Sequence, residues 1–175
     1  LKPYSEHFDT AGASDDDLAK AHIVRYAVAS EYQDTVYLKV AGVDEAGAPV
    51  VLSESVLSGI RSYIAQIKDA GVAVRVISAP GDDLDLSLEI YMQPSLLLDS
   101  GLPSEDRQRE IRKVVERNTT SLPFDGVFRP SDLVVALSQV TGVESSVVTS
   151  ASSSASGEDD WKEFTGFHRP SSGYY

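Results

Sequence analysis

Asp83-Leu84-Asp85 is the stretch whose residue types and spacing come nearest to catalysis. Two carboxylates two residues apart on a strand share one face. In nucleotidyl and phosphoryl transferases such a pair holds magnesium against nucleotide phosphates. That chemistry also requires a Gly-Ser or Gly-Gly turn just upstream, opening a helix whose free amides bind phosphate, and a third carboxylate. Upstream stands Asp69-Ala70-Gly71-Val72, which leads into a valine-rich strand pattern, and no later segment offers the third acid. Downstream, Leu84, Leu86, Leu88 and Ile90 alternate with Asp83, Asp85, Ser87, Glu89 and Tyr91. Such alternation is expected of a strand with one buried and one wet face. Asp83 and Asp85 therefore read as solvated strand residues, with magnesium-dependent nucleotidyl or phosphoryl transfer as the alternative.

The remaining candidates for chemistry are sparse. His7, His22 and His168 lie far apart, and none has a partner at metal-ligand spacing. There is no Gly-x-Ser-x-Gly elbow for an acyl-transfer serine, no phosphate-cradling glycine loop, and no cysteine. The expectation is a non-enzymatic protein with no catalytic residue, no metal site and no cofactor. Arg107, Arg109, Arg112, Lys113 and Arg117 form the one basic concentration. Two readings stay open for it: a solvated helix face, or an electrostatic contact with an acidic partner subunit.

A net charge of -12 over 175 residues opposes non-specific binding to nucleic acid, because the phosphate backbone is repelled. No apolar run reaches membrane-spanning length and no secretory signal pattern opens the chain. Leu1 in place of a methionine is expected of a processed chain or of part of a longer one.

Period and punctuation predict the elements that must position these residues. Strands are expected at 23–29 and 36–41, with a turn at 31–34. A helix is expected at 54–70, where Val56, Ile60, Ile64 and Ile67 recur at helical spacing, with Ser53 as cap and Gly71 beyond the end. Val72, Val74 and Val76 start a strand, and Pro80-Gly81-Asp82-Asp83 is expected to turn it into a hairpin with the Asp83 strand. A second helix follows Ser104 and carries the basic residues; a third starts at Pro130, capped by Ser131. Residues 143–150 close the domain as a strand. The order predicts an α+β fold, a ferredoxin-like split βαβ sandwich with helices on one face of a four-stranded antiparallel sheet.

Three regions result: an N-terminal arm at 1–21, including a short helical turn at 15–21 opened by Ser14; an α+β domain at 22–150; and a Ser-rich linker with an aromatic tail at 151–175. The tail gathers Trp161, Phe164, Phe167, Tyr174 and Tyr175 without a helical or strand period. It has two readings, docking on another surface or packing back on its own sheet.

Three stretches carry a resemblance: LSESVLSGIRSYIAQIKDAGVAVRVISAP, LDLSLEIYMQPSLL, and SLPFDGVFRPSDLVVALSQVTGVESSVV. Residues 122–143 follow the pattern LxFxGxxxxSxLxxAxxxVxGV. Arg169-Pro170-Ser171-Ser172-Gly173-Tyr174 is similar to a Pro-x-Ala-Gly-Tyr ending, with Ser172 in place of alanine. In order and spacing from about residue 21 to 148, the chain resembles the baseplate J-like proteins of contractile phage tails and related injection machines, those of Bacteroidetes prophages in particular. The resemblance implies a structural subunit of the baseplate wedge, located in the virion tail and assembled in the cytoplasm of a bacterial host. It also implies other baseplate subunits and copies of the chain itself as partners. The elements expected to touch them are the arm around Tyr4 and Phe8, the basic helix with Arg107, Arg109, Arg112, Lys113 and Arg117, and the tail with Trp161, Phe164, Phe167, Tyr174 and Tyr175.

Overall fold

Gln33 and Asp34 both adopt positive φ, 47° and 58°. That pair of left-handed residues is what a two-residue hairpin turn of type I′ demands, and it joins β1 (Tyr26–Tyr32) to β2 (Thr35–Val43). The structure, a computed structural model, describes residues 12, 14, 16, 21–98 and 101–175. The arm with Tyr4 and Phe8, and most of the expected turn at 15–21, lie outside the described residues.

After β3 (Pro49–Val50), which pairs with the end of β2, the chain enters α1 (Glu54–Ile67). The helix stops short of residue 70. Lys68 has left helical geometry, its N–H donates to Ile64, and its Nζ donates to the Val72 carbonyl. Ser53 makes no capping bond, since its hydroxyl pairs with that of Ser55. The chain then returns as β4 (Ala73–Ile77), parallel to β2. A parallel return requires a crossover, and α1 supplies it. Leu57 and Val56 pack from the helix onto Val40, Leu52, Leu38 and Val76, giving a first core.

The expected hairpin between β4 and the Asp83 strand does not form. β5 (Asp83–Met92) lies in a second sheet, antiparallel to β6 (Val143–Ser154), which in turn pairs with β7 (Lys162–Glu163). Residues 78–82 cross between the sheets and are not a tight turn, because Asp82 is buried and its N–H is taken by the Tyr174 carbonyl. α2 (Glu105–Thr120) and α3 (Pro130–Ser138) cover the inner face of this sheet. Phe128, Leu133 and Leu137 are fully buried there against Leu84, Leu86, Leu88 and Ile90, a second core. The α+β class holds, but the single four-stranded antiparallel sheet of a ferredoxin-like sandwich is replaced by two sheets with separate cores.

Residues 151–154, read as linker, are the last turns of the β6 ladder: Asp83 faces Ser154 and Asp85 faces Ser152. Small side chains suit this stretch because other chain lies close against it. Ala151 accepts the Phe164 N–H, the Ser153 hydroxyl donates to the Asp83 carbonyl, and that of Ser154 to Glu158.

Candidate functional site: the seated C-terminal segment and its exposed flanks

The carboxylate that the structure uses stands one residue before the Asp83 pair. Asp82 is 6% exposed. Its oxygens accept the Ser171 N–H at 2.7 Å, the Ser171 hydroxyl at 3.0 Å and the Ser172 N–H at 3.0 Å. Three donors on one carboxylate are the arrangement a buried anion requires. Its own N–H completes the exchange by donating to Tyr174.

A second buried carboxylate, Asp125, is 7% exposed at positive φ, 60°, in the loop between α2 and α3. Lys39 from β2 reaches one oxygen at 2.7 Å and Arg169 the other at 2.6 Å. Lys39 also donates to the Pro170 carbonyl at 2.7 Å, and the Asp125 N–H donates to Gly173. Residues 168–175 thus run across both lobes, the first made of β1–β4 and α1 and the second of β5–β7, α2 and α3, in a seat that has two anionic anchor points.

The seat is shaped as well as charged. Gly173 has φ 103°, and a Cβ there would fall 2.7 Å from the Phe124 ring. Only glycine combines that backbone with that closeness. Phe124 stacks on Tyr26 of β1 at 5.3 Å and lies 6.2 Å from Tyr174, whose hydroxyl donates to the Ala79 carbonyl. Tyr175 meets Phe128 edge-on at 6.2 Å and shares a 2.8 Å hydrogen bond with His168 Nδ1. His168 exchanges both backbone hydrogen bonds with Phe128. Burial lowers the His168 pKa, with the Asp82 charge opposing the shift and the Lys39 charge adding to it. Burial also raises the phenols of Tyr174 and Tyr175, as does Asp82.

The structure divides the aromatic tail. Phe164, Tyr174 and Tyr175 are turned onto the molecule itself, Phe164 and Tyr175 against the second core. Trp161 and Phe167 point outward, 43% and 66% exposed. On α2, Arg107 pairs with Glu110 at 2.7 Å and Arg109 with Asp106 at 3.0 Å. Arg112, Lys113 and Arg117 are exposed, with no ion pair among the described residues. Asp83 and Asp85 share the exposed face of β5, opposite Ser154 and Ser152. Among the described residues no three His, Asp or Glu side chains are grouped to hold a metal ion.

Sequence reasoning gave Asp82 only a place in a turn and Gly173 only a place in the ending motif, and it passed over Asp125 and Lys39. The usable signal was Arg169-Pro170-Ser171-Ser172-Gly173, a run of donors and a glycine that suits buried carboxylates. Comparison of the chain with models of known protein families and with curated proteins finds no match.

Proposed function

We propose that the chain is a structural subunit that works through protein–protein contact, of the kind that builds the baseplate wedge of a contractile phage tail or related injection machine. The observation that carries this reading is the divided tail: Phe164, Tyr174 and Tyr175 pack on their own protein, while Trp161 and Phe167, which precede the seated residues 168–175, present their rings to solvent. Exposed aromatics held on a rigid support are the residues that anchor interfaces, since they offer large apolar area at little cost in side-chain entropy. The exposed cations of α2 supply a second surface of opposite character to a protein of net charge -12. The order of motifs over residues 21–148 supports the same family. Its partners in this reading are other baseplate subunits and further copies of the chain, in the virion tail.

Native mass measurement and crosslinking of complexes purified with the tagged chain test this reading. Trp161→Ala and Phe167→Ala together are expected to remove the partners while the chain stays folded. Retention of every partner by that variant overturns the role given to the two rings. Divalent-dependent nucleotide binding that is lost in Asp85→Asn would replace the assembly reading with phosphoryl or nucleotidyl transfer.

A further inference from the structure

We infer that residues 168–175 are a latch that fixes the angle between the two lobes about residues 78–82. The extensive contacts between strands and helices all lie within one lobe or the other. Between the lobes is a cavity of about 410 Å³, lined by Tyr26, Phe124 and Tyr174 and by residues 46–49. What joins them is a set of polar contacts and one aromatic stack. Lys39 of the first lobe binds Pro170, Tyr174 binds Ala79 in the crossing segment, and Asp82 at its end takes Ser171 and Ser172. Among the described residues, the Lys39–Asp125 ion pair and the Tyr26–Phe124 stack join the lobes without a residue of the latch. Each has a latch residue against it, Arg169 on Asp125 and Tyr174 on Phe124.

The chemistry of these bonds explains why such a latch both holds and releases. Charge-assisted hydrogen bonds fix direction and distance sharply, while of residues 169–174 only Pro170, fully buried, and Tyr174, partly buried, bring a large apolar group to the seat. Release leaves the cores intact except at Tyr175, which packs on Phe128 and keeps the resting state closed. Phe167, exposed, immediately precedes the latch. A partner that grips its ring pulls on the seated segment directly. The inference does not depend on the baseplate reading.

The chain has no cysteine, so Ser30→Cys on β1 and Val135→Cys on α3, both exposed, take spin labels without further changes. Pulsed electron-spin distance measurement on the full chain is expected to give one narrow distribution. Adding Arg169→Ala and Ser171→Ala, both at exposed positions, is expected to speed amide exchange at positions 171 and 172 about tenfold or more and to add a second distance, with β2 and α3 amides still protected. Faster exchange of those amides with an unchanged distance distribution overturns the inference. If the double variant leaves the segment seated, Gly173→Ala is measured in the same way, since Phe124 leaves no room for its methyl. An unchanged distribution in that variant also overturns the inference.

Discussion

The two lobes close their cores by different means. In the first, Val40, Leu52 and Leu57 are enclosed by β2, the β3 segment and α1, all from one contiguous stretch of chain. In the second, Phe128, Leu133 and Leu137 are covered partly by Phe164 and Tyr175, which arrive from the end of the described chain. One lobe is self-sufficient; the other is completed by a segment that also binds its neighbour. The C-terminal segment therefore has two separable duties, an apolar one at the second core and a polar one at the joint.

Core truncation should separate the lobes most strongly. Phe128→Ala is expected to cost about 3–5 kcal/mol and Leu57→Ala about 2–5 kcal/mol. Trp161, the single tryptophan, sits beside β7 and reports on the second lobe by fluorescence, while circular dichroism reports on both. In denaturant, Phe128→Ala should shift both signals and Leu57→Ala mainly the dichroism. Equal shifts of fluorescence in the two variants would mean that the lobes unfold as one, which removes the contrast. Asp125→Ala should cost nearly as much, about 3–5 kcal/mol, because it strands the Lys39 ammonium, only 13% exposed, without its counter-ion. Asp125→Ala combined with Lys39→Met should recover part of that loss in the same melt.

A smaller effect follows from pH. The His168 pKa is held below its ordinary value by burial, so the folded state favours the neutral ring. That stability is complete above the unfolded pKa of about 6.5 and is lost as pH falls below it. The ring faces Asp82, Lys39 and the Tyr175 hydroxyl, and Glu158, Asp160 and Lys162 line the same hollow. Thermal melts between pH 7.5 and about 5 should show the second lobe weakening first, and His168→Gln should flatten that dependence. The smallest effect belongs to Asp83→Asn and Asp85→Asn, expected to change stability by no more than about 0.5 kcal/mol in denaturant titrations. Loss of stability on the scale of Asp125→Ala would mean that the outer face of β5 is not simply solvated.

The elements with strong periodicity were legible from sequence. α1, the turn between two early strands and the alternation of β5 follow from side-chain spacing, although β1 runs Tyr26–Tyr32 where 23–29 is expected, and β5 presents Asp83 and Asp85 outward as that alternation requires. The pairing of strands was not legible. Pro80-Gly81-Asp82-Asp83 has turn composition, but composition says nothing of whether a chain doubles back or crosses to another layer, and the buried charge of Asp82 decides the second. The serines at 150–154 misled in the opposite direction. They lack β-propensity, yet small residues fit where a ladder is pressed by chain on its outer side, and tertiary context overrides propensity there. Asp125 was hidden because its partners, Lys39 and Arg169, are 86 and 44 residues away. The tail aromatics were visible as a group, but the separation of inward Tyr174 and Tyr175 from outward Trp161 and Phe167 depends on a seat built elsewhere.

The seat also sets an order of events in folding. β1 and β2 meet across a two-residue turn, whereas Ser153 meets Asp83 across 70 residues, Ser171 meets Asp82 across 89 and Pro170 meets Lys39 across 131. Closing large loops costs entropy before their contacts give anything back, so such contacts form slowly. The first lobe can gain structure early from neighbouring chain, while the second lacks the Phe164 and Tyr175 cover over Phe128, and Asp82 lacks its donors, until residues 164–175 arrive. Refolding should accordingly run in two stages, and for the interval between them the molecule carries an uncovered aromatic core and an unoccupied anionic groove.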